Sequence, residues 1–227
     1  MKVGILGTGM VGQTIAAKLA ENGDDVMIGT RDVQATLAKD KPDMMGNPPF
    51  RVWHDKNHQV KVGTFAETAT HGQIVVNALS GQASIEGLKM VGEKNFAGKI
   101  VVDISNPLDF SRGMPPSFFV SNTNSLGEEI QKAFPSAKVV KTLNTVNAYL
   151  MVDPKKLKDG DHTMFVAGND AAAKAEVTAW LKGSFGWSDV LDLGDITTAR
   201  GSEMAVALWA RVWMSTNNPM FAFKVVR

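Results

Sequence analysis

The chain has no cysteine among its 227 residues. That absence removes disulfides, thiolate metal sites and cysteine nucleophiles together, and it is consistent with a reducing, cytoplasmic setting. An excess of one charge is missing too, since 24 Lys and Arg stand against 23 Asp and Glu, a formal net charge of +1. No broad field exists to gather nucleic acid or anionic lipid, so neither is expected as a partner. No apolar run approaches the roughly 18 residues of a membrane span. Met1 leads directly into a strand-like run, so a signal peptide is not expected. There is no internal repeat, interdomain linker, serine–histidine pattern or metal-ligand cluster. His54 and His58 lie one helical turn apart without a third ligand and are expected to be solvated. The hydrophobic content, 44%, is enough to bury a sizeable core as one large domain or a domain with a small appendage.

What is present is concentrated at the start. Gly7-Thr8-Gly9-Met10-Val11-Gly12 stands between an apolar run (Val3, Ile5, Leu6) and a segment with Met10, Val11, Ile15, Ala16 and Leu19 near helical spacing. Gly23 closes that helix, and Val26-Met27-Ile28 supplies a second strand ending in Gly29-Thr30-Arg31. Strand, glycine turn, helix and strand within about 30 residues form a dinucleotide-binding fingerprint. Gly7 permits the tight turn, Gly9 lets backbone approach a pyrophosphate, and Gly12 lets the helix pack closely on the strand. The pyrophosphate would sit at the helix N-terminus, facing unpaired N–H groups. An Asp or Glu about 20 residues beyond the glycines receives the ribose hydroxyls of NAD, whereas an Arg there accommodates the 2′-phosphate of NADP. Arg31, with Thr30 beside it, points to NADP. Two alternatives stay open: a solvated Arg31 paired with Asp32, or Asp32 approaching a ribose and favouring NAD.

Further along, a polar helix-compatible stretch over 32–39 precedes a loop over 41–49, the expected variable excursion, and a short surface helix over 50–58 that sets Trp53 against the body. Strands are predicted over 60–62, 74–79, 100–104, 138–143, 163–167 and 190–193, with helices over 65–70, 83–91, 125–134, 171–181 and 197–214. Ser125-Leu126-Gly127-Glu128 reads as a capping box, and 110–122 as a lid-like loop. The fold class is therefore α/β, a Rossmann-like, doubly wound, mostly parallel sheet of about eight strands with a C-terminal helix. Residues 1–195 form the nucleotide-binding domain and 196–227 a helical extension packed on it. Ligands of such sheets bind beyond the carboxyl ends of the strands, so Leu79, Ser80, Asn106 and Pro107 should line the nicotinamide half. Asn144, Thr145 and Asn147 reach the same edge. Asn144 and Asn147 either donate to a ring carbonyl or the nicotinamide amide, or cap a loop. Met204, Trp209 and Trp213 read as core or as the seam of a homodimer.

Three stretches carry a family resemblance: the glycine turn with Gly29-Thr30-Arg31, then Asp103-Ile104-Ser105-Asn106-Pro107, then Lys138-Val139-Val140-Lys141-Thr142-Leu143-Asn144-Thr145. In these the chain resembles the coenzyme F420-dependent NADP oxidoreductases and the oxidoreductase domain of the STEAP metalloreductases. The resemblance implies that Thr30 and Arg31 hold the 2′-phosphate. It also marks departures. Gln34 and Ala35 stand where the archaeal enzymes add a lysine, Ser80-Gly81-Gln82-Ala83 where they have proline and then histidine, and Asn217-Asn218-Pro219-Met220-Phe221 lacks their glycine-rich pattern. The implied activity is hydride transfer between NADP(H) and a small-molecule partner, F420, FMN or a related acceptor, a reaction that needs two stacked rings more than side-chain chemistry. The rival readings are a non-enzymatic NADPH-binding redox sensor and a small imine or alcohol dehydrogenase. The last would need a sizeable helical second domain, and only residues 196–227 follow Asp195.

Overall fold

The computed structural model describes residues 1–42 and 46–227, so part of the excursion expected over 41–49 lies outside the described residues. Strand β1 (Lys2–Leu6) passes through the glycine turn into α1 (Met10–Glu21) and returns as β2 (Asp25–Thr30). Short helices α2 (Val33–Ala38) and α3 (Phe50–His54) lead to β3 (Lys61–Thr64), α4 (Phe65–His71) and β4 (Ile74–Asn77). After α5 (Gly81–Lys89) and β5 (Ile100–Asp103) comes a small hairpin of β6 (Leu108–Asp109) and β7 (Ser117–Phe118). Helix α6 (Leu126–Ala133), β8 (Lys138–Thr142), α7 (Ala148–Val152), β9 (Thr163–Ala167), α8 (Ala171–Trp180), β10 (Asp189–Asp192) and α9 (Ala199–Thr216) follow.

The large sheet has eight strands in the order β10-β9-β8-β5-β4-β1-β2-β3, parallel except where β8 meets β9. Every residue of β4 and β5 is buried, as strands covered by helices on both faces must be. The pleat sends alternate side chains to opposite faces. Ile5, Val76, Val102 and Val140 pack with Ile15 and Leu19 of α1 on one side. Leu6, Val75, Val101 and Val139 pack with Phe65, Leu88, Leu126 and Ile130 on the other. Each such side chain contributes about 1.5–3 kcal/mol on burial. The strand order reverses between β1 and β4, which places a crevice at their carboxyl ends.

Several local expectations change. The surface helix stops at His54, whose Nε2 lies 3.0 Å from the Val60 carbonyl. The lid-like stretch carries the β6–β7 hairpin, tied back by the Phe119 N–H to the Pro107 carbonyl at 3.0 Å. The capping box is only half formed: Ser125 Oγ accepts from the Glu128 N–H, but the Ser125 N–H donates to Asn124 Oδ1. The Glu128 carboxylate instead accepts from the Ser125 hydroxyl, Oε2 at 2.8 Å, and from Arg200 of α9, Nε to Oε2 at 2.8 Å and Nη2 to Oε1 at 2.5 Å. A complete capping box does exist between Thr64 and Glu67 at the start of α4. Trp209 stacks on Phe221 at 5.3 Å and lies 5.6 Å from Trp213. These two rings therefore pack within their own chain, while Met204 is exposed.

The Arg200 contact holds the Glu128 carboxyl below the usual glutamate range, against burial that raises it. A carboxyl lowered in the folded state stabilises the fold fully above its unfolded value, and that stability is lost as pH falls through the folded value. Arg200→Ala should therefore be less stable than wild type near neutral pH, with the difference shrinking as pH falls from the usual glutamate range into strong acid. Denaturant unfolding at neutral and at strongly acidic pH checks this, and an equal difference at both would contradict it.

Candidate functional site

At the end of β1 the chain reverses through Gly7, whose φ of +116° is open only to glycine, with its N–H bonded to the Gly29 carbonyl at 3.0 Å. A Cβ on Gly12 would fall 2.1 Å from the Gly7 carbonyl oxygen, so α1 sits too close to the turn for any other residue. Gly9 differs. It is the N-cap of α1, and a Cβ there would meet nothing within 4 Å. Among the described residues neither a side-chain cap nor an acidic residue occupies the first turn of α1, so its first N–H groups have no side-chain acceptor. Beside Thr8, Gly9 and Met10 opens a cavity of about 870 Å³ whose rim carries the exposed Met10, Val52 and Tyr149 together with Lys39, Lys41 and Lys56.

On the β2 side a second cavity, about 340 Å³, is lined by Gly7, Thr8, Thr30, Arg31, Asp32, Thr36, Lys39 and Leu79, among others. Asp32 does not pair with Arg31 here. Its carboxylate is the N-cap of α2 and accepts from the Ala35 N–H at 2.8 Å. Among the described residues Arg31 makes no ion pair, which leaves its guanidinium donors available to a ligand. Thr30 is buried, with its hydroxyl 2.7 Å from that of Thr36. Two bonded hydroxyls share one hydrogen bond, so one O–H remains free to donate. Sequence reading missed Thr36 and Lys39, although Ala35, Thr36 and Lys39 fall at the spacing of one helix face.

Toward β4 and β5 a third cavity of about 220 Å³ is lined by Val11, Leu79, Ser80, Asn106 and Phe110, among others. Leu79 and Thr8 each border two cavities, so the three form one groove along the carboxyl edge. Pro107 and Asn144 lie behind this surface. Pro107 is buried; Asn144 is 4% exposed and pairs reciprocally with Asn106, Asn106 Nδ2 to the Asn144 carbonyl at 2.9 Å and Asn144 Nδ2 to Asn106 Oδ1 at 3.0 Å. Asn147 takes the capping role: its Oδ1 accepts the N–H groups of Tyr149 and Leu150, while Nδ2 donates to the Pro219 carbonyl.

Beneath this wall runs a polar row that sequence reading also missed. Asn77, Asp103 and Lys141 are register partners on β4, β5 and β8. Lys141 Nζ, fully buried, meets Asp103 Oδ2 at 2.8 Å, Glu203 Oε1 of α9 at 2.7 Å and the Ser105 carbonyl at 2.6 Å. Burial by itself favours the neutral amine, but the two carboxylates outweigh it and hold the ammonium above the ordinary lysine range. Asp103 Oδ1 accepts from Asn77 Nδ2, the Ser105 N–H and the Ser105 hydroxyl. Glu203 also accepts the first two N–H groups of α6, from Leu126 and Gly127, at 2.8 and 2.9 Å. Just beyond Lys141, Leu143 has a φ of +61°, a strained value for leucine, while fully buried.

A glycine turn at the strand-order reversal, a helix start open to an anion and a cation beyond β2 define a dinucleotide-binding α/β protein. The family model described as "NADP oxidoreductase coenzyme F420-dependent" matches residues 2–107. A candidate F420-dependent NADP reductase from Arthrobacter sp. FB24 shares 55% identity, with 100% of both chains covered and a TM-score of 0.95. The F420-dependent NADP reductase of Methanothermobacter marburgensis is 25% identical over 67% of this chain and 67% of its own. Metalloreductase STEAP3 of Rattus norvegicus is 29% identical over 89% of this chain, which spans only 36% of that protein. An imine reductase from Streptomyces aurantiacus, 16% identical with a TM-score of 0.60 over 95% of this chain and 64% of its own, shares the fold. The chain belongs to the NADP oxidoreductase, coenzyme F420-dependent, family.

Proposed function

We propose that the chain binds NADP(H) along the carboxyl edge of its sheet and passes hydride between the nicotinamide and a planar acceptor, F420, a flavin or a related ring. The observation that carries this reading is the unpaired Arg31 in the β2 cavity, with Asp32, the group that would favour NAD, engaged as a helix cap. Gly7, Thr8, Gly9, Met10 and Val11 hold the pyrophosphate at the start of α1, and Gly12 sets that helix close to the turn. Thr30 and Arg31 receive the 2′-phosphate, with Lys39 as a second cation from the same cavity. Leu79, Ser80 and Asn106 border the nicotinamide, backed by Pro107 and Asn144. When bound, the nicotinamide supplies or takes the hydride. The chain's own residues bind, orient and exclude water, and none is assigned a proton to move.

Calorimetric titration with NADPH and NADH tests the cofactor. NADPH should bind about 10–100-fold tighter, each tenfold being 1.4 kcal/mol; equal affinities or a preference for NADH would overturn the assignment. Gly9→Ala tests the pyrophosphate contact. Its Cβ enters open space in the protein, so stability should change by well under 1 kcal/mol while NADPH affinity falls about tenfold. Unchanged affinity would remove Gly9 from the site.

A further inference from the structure

We infer that Lys141 is a positioning residue for the nicotinamide wall, acting through the turn that presents Asn106; this rests on the proposed binding mode. An ammonium has three protons to donate, and all three of Lys141's are directed, to Asp103, Glu203 and the Ser105 carbonyl. The third contact matters most. The Ser105 carbonyl belongs to the peptide that leads into Asn106, and the N–H and hydroxyl of Ser105 are held by Asp103 Oδ1. The turn beyond β5 is thereby gripped at its nitrogen by a carboxylate and at its carbonyl by that carboxylate's own ion partner. Asn106 then fixes Asn144 by the two reciprocal bonds, beside the left-handed Leu143.

Stability alone does not account for a lysine here. Apolar replacement of a whole buried ionic cluster is often neutral or stabilising, so the charged arrangement is not needed merely to fill the interior. Its geometry is specific instead. It joins the stretch 103–107 to the stretch 138–145, and it sets the orientation of a peptide at the cleft without lining any of the three cavities of the groove.

The test compares wild type with Lys141→Met, Lys141→Arg, the charge-reduced double variant Lys141→Met/Glu203→Gln, and Lys174→Met, which breaks the Lys174–Asp192 pair at the surface end of another strand. In the ligand-free proteins, the side-chain amide protons of Asn106 and Asn144 are followed by NMR. Their exchange should quicken about tenfold in Lys141→Met and in the double variant and stay at wild type in Lys174→Met. Lys141→Arg should fall between, since a planar fork cannot reach three divergent acceptors. With NADPH bound, single-turnover hydride transfer to F420 or FMN should drop about 10–100-fold in the Lys141→Met variants while NADPH affinity changes less than about threefold. Should Lys141→Met not fold, the double variant and Lys141→Arg decide by the same readings. Wild-type amide exchange in folded Lys141 variants would overturn the positioning role. Failure of wild type to bind NADPH would overturn the proposed function, while the amide exchange still decides the role of Lys141.

Discussion

Replacing Glu203 with Ala is expected to destabilise the fold by about 3–5 kcal/mol, from two buried N–H groups left without acceptors together with one lost contact to a buried ammonium. The carboxylate is 2% exposed and serves both Lys141 and the start of α6. Its loss leaves the Leu126 and Gly127 N–H groups buried without acceptors, at about 1–3 kcal/mol each. Lys141 would keep Asp103, so the ammonium remains paired and the loss stops short of an isolated buried charge. Glu203→Gln preserves shape and one acceptor oxygen and should cost less than alanine. Lys174→Met removes a lysine that is itself 11% exposed and also donates to the Gly194 carbonyl, but its partner Asp192 is 54% exposed, so it should cost about 1–2 kcal/mol, less than Glu203→Ala. Urea unfolding midpoints at constant slope measure all three. A loss below about 1 kcal/mol for Glu203→Ala would mean that water or another group replaces the carboxylate.

Arg31→Ala should weaken NADPH by about 1.5–3 kcal/mol, roughly 10–150-fold, with NADH nearly unaffected. A guanidinium on the 2′-phosphate makes charge-assisted bonds that NADH cannot receive. Because Arg31 is exposed and has no ion partner among the described residues, its removal should leave stability within about 0.5 kcal/mol of wild type. Paired titrations of the variant separate the cases, and equal loss for both nucleotides would place Arg31 at a general electrostatic site.

Much of this edge was legible in the sequence because its signals are local. Apolar runs such as Ile74-Val75-Val76 and Ile100-Val101-Val102 fix buried parallel strands, and the glycine spacing fixes the turn at Gly7. What escaped depends on contacts between distant segments. The polar residues ending those runs, Asn77 and Asp103, look like ordinary strand ends until register sets them beside Lys141. Glu203 reads as one polar position on a long helix, and nothing nearby in sequence says that it reaches the start of α6. Competing hydrogen bonds explain the other misses. Glu128 abandons the reciprocal cap for Arg200, and Asn147 is held as a cap and by the Pro219 carbonyl. Asn144 is on the predicted edge but behind Asn106, because the Asn106 amide donates to its backbone carbonyl and accepts from its Nδ2.

In the proposed function this groove joins NADP(H) to a planar hydride partner. Anaerobic stopped-flow mixing of the NADPH-loaded protein with F420, and separately with FMN, tests it most directly. The prediction is a single-turnover loss of the reduced-nicotinamide absorbance matched by reduction of at least one of the two rings, faster than with NADH-loaded protein. NADPH that binds tightly and stays reduced in the presence of both would contradict it and favour a nucleotide-binding sensor.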